Sequence, residues 1–166
     1  ELNGNGLRTR VTELDGSTVD YTYDSNYRLV RETRTGAQSY DIQYTYDPVG
    51  NRTSINRDGT LVTYTYDQND RLLTEGTIAY AYDDNGNLTG KTDGARTIVY
   101  IYDGAGRLVQ SSDSSIGDTF YTYDAHGNRI SRTDASGTVN YIVDTASATG
   151  VSQVLEERDG LGGLLT

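Results

Sequence analysis

Apolar and polar positions alternate along this chain over short stretches, and Gly, Asp and Asn then break the pattern. Val62, Tyr64 and Tyr66 share one parity, as do Ile78, Tyr80 and Tyr82, with Thr or Ala between them. A period of two is that of a strand with one buried face. Helical periodicity of any length is absent, and the polar breaks recur often enough to be hairpin turns. The pattern predicts an all-β chain running as a meander of hairpins.

The alternation is carried by a repeat. Tyr-x-Tyr-Asp occurs six times, as Tyr21, Tyr23, Asp24; Tyr44, Tyr46, Asp47; Tyr64, Tyr66, Asp67; Tyr80, Tyr82, Asp83; Tyr100, Tyr102, Asp103; and Tyr121, Tyr123, Asp124. A worn seventh copy, Tyr141-Ile142-Val143-Asp144, follows. After four of the aspartates a glycine stands three residues on, at Gly50, Gly86, Gly106 and Gly127; Tyr27 and Asp70 hold that place in the first and third copies.

This tail has the chemistry of a turn. The Asp side chain can accept a backbone hydrogen bond from two residues on, Pro48 supplies the φ of a type I turn, and Gly suits a left-handed residue that closes a three-residue hairpin with a G1 bulge. Tips are expected at Pro48-Val49, Asn85-Gly86, Ala105-Gly106 and His126-Gly127. Asp70 tolerates the left-handed conformation, whereas Tyr27 does so poorly, so the first turn should be strained or differently shaped.

The turn also fixes register. Asp24, Asp67 and Asp103 should face Arg28, Arg71 and Arg107, and the other aspartates Asn51, Asn87 and Asn128. One step back, Tyr23, Tyr66, Tyr82 and Tyr102 should face Leu29, Leu72, Leu88 and Leu108. Tyr46 and Tyr123 should face Arg52 and Arg129, whose guanidinium groups can lie on those rings. The paired tyrosines share a face, where they should stack as a ladder with wet hydroxyls. The return strands end in polar punctuation such as Arg57-Asp58-Gly59 and Thr92-Asp93-Gly94.

Composition sharpens this picture. Tyr numbers 15, Trp and Cys are absent, and hydrophobic residues make up only 34% of the 166, too few for a thick core. The motif copies hold 12 of the tyrosines, so the aromatic excess is the repeat itself. A formal net charge of -10 argues against nucleic acid and against anionic membrane surfaces. Zero Cys excludes disulfides and thiolate metal sites without fixing the compartment. Residues 1–20 show no leader, and no apolar run has the length of a membrane span. The opening Asn3-Gly4-Asn5-Gly6-Leu7 reads as a repeat tail, so the chain is expected to be part of something longer.

Catalytic chemistry is hard to place. The single histidine, His126, sits in a turn, and no second histidine or oriented base accompanies it. The recurring aspartates could suggest calcium, but the repeat lacks a calcium-loop signature, so turn capping is the expected role. No cofactor, metal or enzymatic activity is expected.

At these residues the chain resembles the YD-repeat family, also called RHS repeats, whose pattern is Tyr-x-Tyr-Asp-x-x-Gly-(Arg or Asn)-Leu. Residues 100–108 give it in full, and the resemblance runs over residues 21–144. Residues 141–157 look like the segment near the end of the array in bacterial members, and residues 159–163 like the start of another turn. Members are large secreted, surface or injected proteins: polymorphic toxins, the C components of insecticidal Tc toxins, wall-associated proteins and teneurins. In several, the repeats wind a sheet into a hollow shell around a toxic C-terminal domain; in teneurins a similar shell serves adhesion.

The resemblance therefore implies one array over residues 1–166, with 145–166 as its end, forming one continuous curved or spiralling antiparallel sheet. Seven hairpins at about 4.8 Å per strand span roughly 65 Å, too little to close a cage. The implied role is an open shell segment of a secreted or cell-surface bacterial protein. Its partners would be further repeats of the same parent and an enclosed or presented C-terminal toxin, and its open edges could pair with copies of itself. The alternative is an adhesion or carbohydrate-binding module with a glycan or cell-surface protein as partner. Aromatic wall-binding repeats use Trp for that purpose, and Trp is absent.

Overall fold

The structure is a computed structural model that describes residues 1–145 and 152–165. Every regular element among them is a strand, and the sequence alternation appears as alternating burial along the Tyr-x-Tyr strands of the second to sixth motifs, whereas the return strands are mostly half-buried without it. The chain divides into two compact units, residues 1–77 and 78–166.

The first unit holds β1 (Arg10–Thr12), β2 (Thr18–Tyr23), β3 (Leu29–Thr35), β4 (Tyr40–Tyr46), β5 (Arg52–Arg57), β6 (Thr60–Tyr66) and β7 (Leu72–Glu75). The second holds β8 (Ile78–Tyr82), β9 (Leu88–Asp93), β10 (Arg96–Tyr102), β11 (Leu108–Asp113), β12 (Gly117–Tyr123), β13 (Arg129–Asp134), β14 (Gly137–Asp144) and β15 (Gln153–Asp159). Within each unit every strand pairs antiparallel with its sequence neighbours and packs against no other strand. Each unit is thus a meander one layer thick. Burial is correspondingly shallow: Val19, Ile42 and Tyr64 are the apolar side chains less than a tenth exposed among the described residues.

Two kinds of turn alternate. At the end of each Tyr-x-Tyr strand the Asp carbonyl accepts from the amide three residues on, and the Asp amide donates to the carbonyl four residues on. For Asp103 these bonds are Gly106 N–H to Asp103 O at 2.9 Å and Asp103 N–H to Arg107 O at 2.9 Å. The four expected tips are therefore present. At the opposite ends the connections are tighter: Asp58 and Gly59, at φ 51° and 87°, link Arg57 to its partner Thr60 in a type I′ geometry.

The expected register holds at all six full motifs. Tyr23, Tyr46, Tyr66, Tyr82, Tyr102 and Tyr123 pair with Leu29, Arg52, Leu72, Leu88, Leu108 and Arg129. In each hairpin one extra residue follows on the return strand, so the register shifts there by one. The seventh copy keeps that shift, with Val143 opposite Val154 and Asp144 opposite Gln153. The part of the family-like segment at 146–151 lies outside the described residues. The flanks behave as repeat tails: Asn3 and Asp159 each accept from the glycine three residues on, Gly6 and Gly162.

The first turn takes the strained of the two forms expected for it. Tyr27 is left-handed at φ 64°, as Asp70 is at 60°, but the turn is not differently shaped, because it makes the same two backbone bonds as the glycine turns. Tyr27 is 60% exposed, and the strain of its left-handed conformation lies in the backbone.

Candidate functional site

The repeated residues converge on two constructions, one at the Asp turns and one on the tyrosine face. At the turns each carboxylate does more than cap one amide. Oδ1 of Asp103 accepts from the amides of Ala105 and Arg107, both at 2.9 Å, while Oδ2 accepts from Arg107 Nε at 2.7 Å. Asp24 and Asp67 repeat the arrangement with Arg28 and Arg71. Asp83 and Asp124 do so with Asn87 and Asn128, whose Nδ2 replaces the guanidinium at 2.9 Å. Asp47, followed by Pro48, shifts its first bond to the Gly50 amide and keeps that of Asn51.

These bonds favour the charged carboxylate. The Arg28, Arg71 and Arg107 amides hold the carboxyls of Asp24, Asp67 and Asp103 below the usual range, and the Asn87 and Asn128 side chains do so for Asp83 and Asp124. Asn3 makes the same two amide bonds with a neutral side chain, to Asn5 and Leu7. His126 is exposed at its tip and lends its amide to Asp124. Among the described residues no three acidic or histidine side chains gather in a way that could hold a metal ion.

The turns also reach across to the next hairpin. Arg28 Nη1 donates to the Asp47 carbonyl at 2.9 Å, Arg107 Nη1 to that of Asp124 at 3.3 Å, and Asn51 Nδ2 to the Asp70 carboxylate at 2.7 Å.

On the tyrosine face the expectation of wet hydroxyls is corrected for the second tyrosine of five motifs. The second tyrosine of each of five motifs donates to a backbone carbonyl of the preceding hairpin. The bonds are Tyr23 to Arg8, Tyr46 to Leu29, Tyr66 to Arg52, Tyr102 to Leu88 and Tyr123 to Leu108, at 2.7–3.0 Å. Leu29, Arg52, Leu88 and Leu108 are the residues paired with the preceding second tyrosine, just before the bulge. The bulge interrupts the ladder there, and the phenol supplies a donor to the exposed carbonyl.

The cation–π expectation is corrected as well. Arg52 and Arg129 pair with Tyr46 and Tyr123 in register, but their guanidinium groups lie over Tyr64 and Tyr121, at 4.6 and 4.7 Å. The rings of Tyr46 and Tyr123 are covered instead by Arg28 and Arg107, at 4.9 and 5.0 Å. A residue directly opposite stands upright beside its partner, and the long Arg stem reaches a ring further off.

Two details escaped the sequence pattern. The middle motif residue faces away from the tyrosines, where Thr45, Thr65 and Thr122 bond the hydroxyls of Ser54, Thr74 and Ser131. Tyr40, outside the motif, donates to the Glu32 carboxylate, and this bond pushes its phenol up to about 12. The strand alternation places Tyr40 on the face of Tyr44 and Tyr46, but only the structure reveals the acceptor.

This geometry joins hairpin to hairpin within each unit. The teneurin YD-shell family model matches residues 6–161. No curated protein matches the chain. Among solved structures, the crystal structure of TcdB2-TccC3 without its hypervariable C-terminal region matches 87% of this chain at 16% identity, with a TM-score of 0.67. The TcdB2-TccC3-Cdc42 crystal structure matches 90% at 17% identity, with a TM-score of 0.65. This chain spans 10% and 9% of those chains, so the likeness is one of fold.

Proposed function

Because the chain belongs to the teneurin YD-shell family, we propose that residues 1–166 are one stretch of repeat array serving as passive wall in a longer secreted or surface protein of bacterial origin. The observation that carries this reading is the breadth of the match, residues 6–161, over a chain whose motif residues join one hairpin to the next. The motif tyrosines, aspartates and turn glycines are structural repeat residues, and no catalytic role is assigned to them. The wall's partners are further repeats of the same parent and a C-terminal toxin or effector that it encloses or presents. The fold relative TcdB2-TccC3 carries a hypervariable C-terminal region, which suits a constant wall with exchangeable cargo.

The test is to express the parent protein with and without these repeats. Toxicity to the producing cell and protease sensitivity of the C-terminal region should both rise when the repeats are deleted. If neither changes, and the isolated array binds a glycan or a cell-surface protein, the adhesion reading replaces this one.

A further inference from the structure

The seventh motif copy carries Val143 where the six full copies carry their second tyrosine. Its frame is otherwise intact, since Val143 pairs with Val154 beside the same one-residue shift that follows Tyr123 and Arg129. Beside it lies an open-sided cavity of about 400 Å³ lined by Tyr123, Gly127, Arg129, Tyr141 and Val154.

The full copies show what such a space is for. Tyr46 shares its face with Tyr44, pairs with Arg52, and donates its hydroxyl to the carbonyl of Leu29, which itself pairs with Tyr23. The counterparts of Tyr44, Arg52, Leu29 and Tyr23 around Val143 are Tyr141, Val154, Arg129 and Tyr123. All four line the cavity. The cavity is therefore the berth of a tyrosine ring that this copy lacks. Its floor includes Arg129, the counterpart of the residues whose carbonyls take a hydroxyl in five other copies, and Val143 has no hydroxyl to give. The Arg129 guanidinium is turned back over Tyr121 of its own hairpin, whereas Arg52 at the same repeat position covers Tyr64 of the following one.

We propose that this cavity binds a phenol ring from another molecule, seated beside Tyr123 and Tyr141 with its hydroxyl donating to the Arg129 carbonyl. The volume has room for one ring and its para substituent. The ligand class is a para-substituted phenol, either a small free molecule or a tyrosine side chain on an extended peptide. The site is independent of the wall reading, since it rests on repeat geometry alone.

The test uses the 166-residue chain, isotope-labelled, and three probes: p-cresol, a capped Thr-Tyr-Thr peptide and a capped Thr-Phe-Thr peptide. Saturable shifts at Tyr123, Gly127, Arg129, Tyr141 and Val154 are expected with p-cresol and the tyrosine peptide, with Kd on the order of 1 mM. The phenylalanine peptide, which lacks the hydroxyl, should bind about 5-fold more weakly. Tighter binding of the tyrosine peptide than of p-cresol identifies a protein strand as the source, and equal binding a small phenol. Val143→Tyr should fill the berth, raise the melting temperature by about 3 °C and abolish the shifts. The proposal is overturned if the wild-type chain shows no saturable shifts at those residues, whether or not the variant folds. It is equally overturned if a folded Val143→Tyr chain binds the probes unchanged or melts lower than wild type.

Discussion

At the residue scale the tyrosine hydroxyl and the left-handed turn position carry separable energies. Tyr102 spends its ring on the sheet face and its hydroxyl on the Leu88 carbonyl. Tyr102→Phe removes only the bond and leaves a carbonyl short of a donor, so it should cost about 1 kcal/mol. Tyr102→Ala also removes the ring and should cost about 3 kcal/mol. Chemical denaturation of the two variants reads the difference directly. Tyr27 holds φ 64°, a conformation that a side chain disfavours and glycine does not. Tyr27→Gly should therefore be between neutral and about 1 kcal/mol stabilising. A clear loss in the same denaturation measurement would show that the exposed ring makes a contact that outweighs the backbone strain.

At the scale of the element, the hairpin, the Asp carboxylate is the shared part of six turns, and the turn bonds favour its charged form. Hydrogen bonds hold the carboxyl pKa of Asp24, Asp67, Asp83, Asp103 and Asp124 below the unfolded value in the folded chain. Groups depressed on folding stabilise above their unfolded pKa, about 3.9, and that stability is lost as pH falls through the folded values. The melting temperature should be level from about pH 7 to 5 and drop below about pH 4. Asp103→Asn, which copies the neutral Asn3 turn, should shrink the acid loss of its own hairpin when amide exchange is followed there. Since the carboxylate lone pairs are occupied by amides and side chains of the turn, millimolar EDTA should leave the melting temperature unchanged.

Much of this element is legible in sequence because its causes are local. Asp-x-x-Gly specifies the turn, the turn specifies the pairing, and the pairing places Tyr102 opposite Leu108. What was illegible is the contact between successive hairpins. That Tyr46 reaches Leu29, or that Arg28 covers Tyr46, depends on the bulge beside Leu29 and on the sideways reach of a long side chain. Nothing in the spacing of 17 or 18 residues between those partners encodes either feature.

At the scale of the whole molecule, single-layer units leave much apolar surface in water. A compact protein of 18.2 kDa exposes about 8,100 Å². This chain exposes 10872 Å², with Leu61, Val99, Ile101, Phe120 and Ile142 among the exposed apolar residues. Unfolding then hydrates less new apolar area than usual. Calorimetry should give a heat-capacity change below about 2 kcal/mol/K, the ordinary value for a chain of this length. A larger value would mean that the open faces are covered in solution. The glycines and carboxylates of the turns announce themselves in sequence, but uncovered faces do not, because a strand in a two-layer sheet has the same alternation.

The tyrosine-to-carbonyl bond also bears on how such a chain can grow by genetic accident. Tyr102 rests on Leu88, and Leu108 in turn receives Tyr123, so residues 89–108 begin and end at equivalent points of the repeat. Suppose unequal recombination copied that stretch in frame. The added tyrosine would meet the carbonyl of Leu108, and Tyr123 would meet the identical carbonyl of the copy. No junction would differ from those already present. Loss of one hairpin by the same cut leaves Tyr123 facing Leu88, an equally familiar pairing. Copy number is thus free to drift, and only a worn junction such as the one at Val143 marks a place where that interchange stops.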